Sequence, residues 1–356
     1  MFRQGKVVVL VVVLGVLVVV TAVWGLEQSA GAEDGFIVEF PVPQAASQPQ
    51  NLVIETAGPP SRIWFTMAES DAIGRLVVTS TVDFAFTTYS LTAGSEPFDI
   101  AYDGSLVWFT EPGGNRIGQL DPVTGMITET AVPDNYSPLY LDVDGNGNVW
   151  FTELLANQIV RYQPDLDSFT SFVYNFAAGE PTRIEVLNPN SVWITAPGVN
   201  RVAELVVANG SFVNIPVSDI GIPAFPPDGL ALDSAGPWVT APTMMRIGRY
   251  AEGTVSFWRW YVLPMAANSL AYTGSSSQRQ LWFTSQQAGQ VGRLVLDSFG
   301  NLVSFGMYAL PTANSQPTDI AVAADGVAWV VESDGNKIAA WYPPYFYQTL
   351  LPFVSK

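Results

Sequence analysis

The sequence predicts an all-β chain, a seven-bladed β-propeller of four-stranded antiparallel blades. Three observations carry that prediction: a tryptophan that recurs at a near-constant interval, short motifs that recur around it, and strand-type alternation between the motifs. The tryptophans are Trp64, Trp108, Trp150, Trp193, Trp238, Trp282 and Trp329, spaced 44, 42, 43, 45, 44 and 47 residues apart. Such a period marks a repeat architecture in which one supersecondary unit buries its faces against its neighbours.

The motifs come in a fixed order. Trp-Phe-Thr stands at 64–66, 108–110, 150–152 and 282–284, with Trp-Ile-Thr at 193–195 and Trp-Val-Thr at 238–240. Upstream lies Pro-x-x-Ile/Leu, from Pro49 to Leu52 through Pro317 to Ile320, with Ala267 replacing proline in the sixth unit. Downstream comes Asn115-Arg116-Ile117-Gly118-Gln119-Leu120, with further asparagines at Asn157, Asn200 and Asn336.

Within the second unit, Phe98–Tyr102 reads as strand A and Val107–Thr110 as strand B. Ile117–Leu120 reads as strand C and Met126–Val132 as strand D, with Gly-containing turns at the two hairpins. A four-stranded sheet of this size cannot bury both faces alone, so seven must stack around an axis. The recurrent tryptophan is expected between neighbouring blades. Two segments compete to close the ring as a fourth strand of the last blade, Phe36–Pro43 and Phe346–Pro352, and the sequence leaves both open.

The first 32 residues read as an export segment. Arg3 and Lys6 precede an apolar run from Val7 to Trp24, and Ser29-Ala30-Gly31-Ala32 offers a small-residue cleavage site. The run is also long enough to span a bilayer, so a cleaved signal peptide and a retained signal anchor both fit. Either places residues 33–356, one propeller domain, outside the cytoplasm.

Composition narrows the function classes. Among 356 residues there is no cysteine and no histidine, and the formal charge is −17. Thiolate metal sites, disulfides, His-ligated zinc and imidazole acid–base catalysis are thereby excluded. After residue 32 the only lysines are Lys337 and Lys356, which argues against nucleic acid and against an anionic membrane surface. A cation or a neutral ligand is the more natural partner, and the chain is expected to be monomeric.

The unit Pro-x-x-Ile…Asp-Gly-x-x-Val-Trp-Phe-Thr-Glu…Asn-x-Ile-Gly-x-Leu, clearest at Pro97–Leu120, resembles the repeat of the streptogramin B (virginiamycin B) lyases and their propeller relatives. The resemblance covers roughly residues 36 to 345. It implies a lyase that opens a cyclic depsipeptide by elimination, with a carboxylate-held magnesium ion and a histidine base in the last repeat. Here that repeat reads Gln316-Pro317-Thr318…Trp329-Val330-Val331-Glu332. Gln316 stands where the family has a metal-binding glutamate and Thr318 where it has the histidine; only Glu332 matches. A threonine hydroxyl is no general base near neutral pH. The favoured expectation is a non-catalytic propeller binding a small molecule, peptide or glycan on one face. The alternative is a metal-assisted lyase or hydrolase running on carboxylates.

Strands A and B run antiparallel, so the start of A and the end of B share one end of the propeller. The residues three after each tryptophan are Met67, Glu111, Glu153, Ala196, Ala241, Ser285 and Glu332; those before the proline include Glu96, Glu180 and Gln316. Glu96, Glu111 and Glu153, with Asp99 and Asp319 nearby, are the candidate ligands of a divalent ion, Mg²⁺ or Ca²⁺. Alternatively they are turn residues of the repeat, solvated or bonded to blade backbone. Asp142-x-Asp144-Gly145-Asn146-Gly147-Asn148 has calcium-loop character but sits on a hairpin turn that needs these residue types anyway. Phe257-Trp258-Arg259-Trp260-Tyr261 is read either as a partner surface on an outer strand or as packing between blades. Tyr342–Tyr347 is a second aromatic run near the closing blade.

Overall fold

The structure is a computed structural model and describes residues 35–344, apart from 57, 59, 134, 219–222, 235, 252–256 and 276–277. The export segment at 1–32 and the strand candidate at 346–352 lie outside the described residues. The chain forms seven four-stranded antiparallel sheets. Six follow the chain in order, strand A innermost and strand D outermost. In the second blade the strands are Ile100–Tyr102, Val107–Glu111, Arg116–Leu120 and Ile127–Ala131, within two residues of the boundaries read from sequence.

The seventh sheet closes the ring. Its strands A to C are Pro317–Val322, Ala328–Glu332 and Lys337–Tyr342, and its outer strand is Phe36–Pro41 from the start of the propeller. Phe36 pairs with Tyr342 and Pro41 with Lys337. Phe40 is fully buried, stacked on Trp329 at 5.9 Å and edge-on to Phe84 of the first blade at 5.0 Å. Of the two competing segments, the amino-terminal one therefore holds the outer place.

The motif residues divide the structural work. Each recurrent tryptophan is at most 4% exposed. Each joins a core cluster shared with the following blade: Trp64 packs with Ile100 and Phe109, Trp150 with Ile184 and Ile194, Trp329 with Ile63 and Phe65. Arginines paired with them on strand C lie over the rings, Arg75 on Trp64 at 5.2 Å and Arg161 on Trp150 at 5.5 Å. The scattered single arginines thus act partly as cation–π covers. Gly118 follows from the same packing: a Cβ there would stand 1.9 Å from the ring of Phe109.

The threonine of Trp-Phe-Thr fastens blades together. The Thr110 hydroxyl accepts from the Asp99 backbone N–H at 3.1 Å and donates to the Leu139 carbonyl of the next blade at 2.7 Å. Thr66 and Thr240 make the same pair of bonds. The residue opening strand C, asparagine in four units, is Asp71, Asn115, Asn157, Asn200, Met245, Gly289 or Asn336, and all have φ between 45° and 59°. Asparagine and aspartate tolerate that left-handed conformation better than most residues. Its side chain holds the connection into the next blade: Asn336 accepts from the Ser47 N–H and donates to the Val42 and Gln44 carbonyls.

Trp150→Ala is expected to cost about 3–5 kcal/mol, the range for removing a large buried aromatic. It also takes a donor from Asp144 and the ring from under Arg161. The urea midpoint should fall with an unchanged slope. An unmoved midpoint would contradict the blade-to-blade role of the ring.

Candidate functional site

The D–A connections and B–C turns gather at one end of the propeller and make a rim there. The residue before the strand-A proline is exposed at Gln48, Glu96, Glu180 and Gln316. At these four positions and at Ser137 φ lies between 45° and 58°, an uncommon conformation for a side chain other than glycine. The residue three after the tryptophan behaves differently. All seven, from Met67 to Glu332, are at most 1% exposed. The B–C turn bonds to the incoming connection and covers them, as in Gly113 N–H to Ser95 O at 3.1 Å and Ser333 N–H to Gln316 O at 3.2 Å. The expectation that these strand-B ends line an open rim is corrected by that cover.

Two blades carry the same polar cluster beneath the cover. In the second, the backbone N–H and hydroxyl of Thr92 donate to Glu129 at 2.9 and 2.5 Å, and Arg116 donates to Glu111 from Nε at 2.9 Å and Nη2 at 2.8 Å. In the seventh, Thr312 donates to Glu39 at 2.7 and 2.8 Å, and Lys337 replaces the arginine. Lys337 bonds to Glu39 and Thr312. Neither oxygen of Glu332 has a hydrogen-bond partner, although Ser315, Glu39 and Lys337 are close by. A planar guanidinium reaches both of its neighbouring carboxylates, Glu111 and Glu129, while the lysine ammonium serves one.

The electrostatics follow. Burial pushes the Glu332 carboxyl up to about 7, with Glu39 adding to the shift. Burial also raises Glu111, against bonds from Ser95 and Arg116. Burial acts to raise Glu39 too, but its bonds from Lys337 and Thr312 outweigh it and hold Glu39 below the ordinary carboxylate range.

The proposed metal ligands do not form a set. Glu96 is exposed, with its carboxyl carbon 3.1 Å from where a Cβ on Gly113 would stand. Glu111 already carries the guanidinium of Arg116, the place a cation would take, and Glu153 accepts from Gln158 at 2.5 Å. Among the described residues no group of three acidic side chains is arranged to hold a metal ion. The last repeat offers no better fit for magnesium: Gln316 supplies a neutral amide, and the ammonium of Lys337 stands beside Glu332. The Thr318 hydroxyl is engaged, donating to the Gln50 carbonyl at 2.7 Å.

The other sequence candidates resolve into structure. Asp144 accepts from the Asn146 and Asn148 backbone and from Trp150 Nε1, so it organises its turn. Trp258 and Trp260 stack on each other at 5.2 Å and donate to the Pro216 and Ser218 carbonyls of the blade before. Arg259 and Tyr261 bond to the Phe299 and Gly300 carbonyls of the blade after. That outer strand is a seam between blades.

Sequence reasoning missed the central channel. Strand A alternates, so Leu52, Ile100, Leu141, Ile184, Leu230, Leu270 and Ile320 are all buried, each at most 6% exposed. The residues flanking them supply most of the polar wall of a cavity of about 380 Å³ on the axis. One level carries Asp99, Tyr140, Arg183, Ser269 and Asp319; the next carries Asp142 and Glu185. Asp99 accepts from the Leu141 N–H at 2.8 Å, Asp142 from Val186 at 2.7 Å and Asp319 from Leu52 at 3.1 Å, so these carboxylates satisfy inner-strand donors of the next blade. Burial pushes Asp99 up to about 7 and Asp142 up to about 6, and it raises Glu185 strongly, with Asp142 adding to the effect. The signal lay on either side of each strand-A Ile or Leu, where only units two, three, four and seven carry ionisable residues.

A seven-bladed propeller closed by its amino-terminal strand, with Glu332 kept at the end of the last strand B, defines a protein built like the streptogramin B lyases. The profile of the virginiamycin B lyase family matches residues 30–205 and 146–343, and the chain belongs to that family. It is 30% identical over 212 residues to virginiamycin B lyase of Nocardia farcinica, covering 58% of this chain and 68% of that protein. A streptogramin B lyase structure superposes with a TM-score of 0.72 at 22% identity, covering 86% of this chain and 97% of the other. A catalytically inactive histidine-to-alanine form of the Staphylococcus aureus virginiamycin B lyase with quinupristin gives 0.71 at 22%, covering 86% and 99%. At these identities the superpositions establish the fold.

Proposed function

We propose that the protein is an exported, non-catalytic member of the family that binds a small molecule, peptide or glycan on the rim face. The observation that carries this reading is the state of Thr318. It stands where the resemblance places the base, its hydroxyl is tied to Gln50, and the chain has no histidine to replace it. The related S. aureus protein is described as catalytically inactive when a single histidine becomes alanine, which supports the same direction. Export rests on the charged, apolar and small-residue segments of residues 3–32.

A second reading, a carboxylate-run lyase, has one observation in its favour. Glu332 and Glu39 are neighbours whose proton affinities are pushed apart, the pattern of an acid–base pair. Against it, Glu332 is wholly enclosed and could touch a substrate only if the B–C turn opened.

The test is to incubate the purified chain with quinupristin and Mg²⁺ and to look for a linear isomer by chromatography and fragment spectra. No ring-opened product is expected, alongside heat of binding in a titration. Sustained turnover would overturn the non-catalytic reading.

A further inference from the structure

We propose that the central channel is a second binding site, for a small zwitterion of the amino-acid type, its carboxylate held by Arg183 and its ammonium by Glu185. Arg183 is the starting point. Its guanidinium lies over the ring of Tyr140, 4.4 Å from the centre, and its Nε is shut off from solvent with no hydrogen-bond acceptor. Among the described residues it forms no ion pair, although Asp99, Asp228 and Asp319 lie close enough to act on its charge. A buried donor left unmet is costly, and more so when charged. A carboxylate meets a guanidinium with two parallel bonds.

Glu185 supplies the other pole, ionising when an ammonium beside it offsets the burial that raises its proton affinity in the empty channel. It lies two residues further on, in the strand Ile184–Asn188 that Arg183 leads into, and both line the channel, roughly 7 Å apart along extended chain. Its neighbour Asp142 has both oxygens engaged, on the Val143 and Val186 backbone N–H groups, whereas Glu185 accepts no hydrogen bond among the described residues. The rest of that level carries small side chains such as Ala101, Ala231, Ala271 and Ala321, which leave the space open.

Charge selects the ligand class. A simple cation would leave Arg183 unanswered and be repelled by it, while a simple anion would face Asp99 and Asp319 in the same ring. A molecule carrying both charges answers both poles and fits the volume.

The test is titration calorimetry on the purified chain with glycine, β-alanine and γ-aminobutyrate, against methylammonium and acetate as the separate halves. At least one amino acid should bind with a Kd below about 1 mM, and neither half should bind comparably. Arg183→Met and Glu185→Gln should each weaken that amino acid at least tenfold while retaining the wild-type circular dichroism. Absence of heat for all three amino acids, equal binding of either half, or folded variants that bind like wild type would each overturn the proposal. If a variant does not fold, the comparison of whole amino acids with their halves on the wild type decides the matter.

Discussion

Chains that begin at residue 43 instead of residue 33 are expected to lose the closed, cooperative fold. The missing segment contributes the whole outer strand of the last blade, six residues in register with Lys337–Tyr342. It removes Phe40, whose burial between Trp329 and Phe84 alone is worth about 3–5 kcal/mol by the usual cost of an aromatic-to-alanine change. It also removes Glu39, leaving Lys337 without its carboxylate partner, and the Val42 contacts of Asn336. An open edge on a buried strand invites pairing between molecules. Calorimetry should show a broadened or strongly lowered transition, and size exclusion should show association. A truncated chain that melts like the longer one would mean that another segment can occupy that edge.

Glu332→Gln is expected to stabilise the protein in a pH-dependent way. The folded chain holds the Glu332 proton up to about pH 7, whereas the unfolded chain releases it in the ordinary carboxylate range. Between those values the folded state binds more protons, so stability falls as pH rises, and the cost is complete above pH 7. It amounts to about 3 kcal/mol for a wholly buried group, to order of magnitude. At pH 8 the glutamine variant should therefore melt well above wild type, and the two should converge toward pH 4.5. Lys337→Arg should act in the same direction, because the longer guanidinium can reach Glu332 as Arg116 reaches Glu111. A gap between glutamine and wild type that is equal at pH 5 and pH 8 would contradict the proton-affinity shift.

Much of the architecture was legible in the sequence because the motif residues repeat the same physical tasks from blade to blade, the tryptophan in all seven. Trp-Phe-Thr marks strand B since the ring fills the seam and the hydroxyl fastens two blades, whatever the ligand. The rim was half legible. The residue before the proline is exposed, as strand order requires, but the strand-B ends are covered by hydrogen bonds between the B–C turn and the incoming connection. Those bonds depend on left-handed residues such as Glu96 and Gln316, a conformation that no sequence pattern announces. At Glu111 the candidate metal reading meets a competing charge, because Arg116, five residues on at the start of strand C, is its direct register partner. Arg183 and Glu185 went unremarked because they stand alone in their repeat, and a search for what recurs passes over what occurs once.

The manner of closure also sets an order in time. The strand that completes the last blade is made first, and its partners emerge almost 300 residues later, as the bond between Ser47 and Asn336 illustrates. Contacts so remote in sequence form slowly. Until the final blade has been made, the leading strand has nothing to pair with, and the ring stays unsealed. The last step of maturation is thus the docking of the leading strand onto the last blade, and agents that capture exposed strand edges would act in that interval.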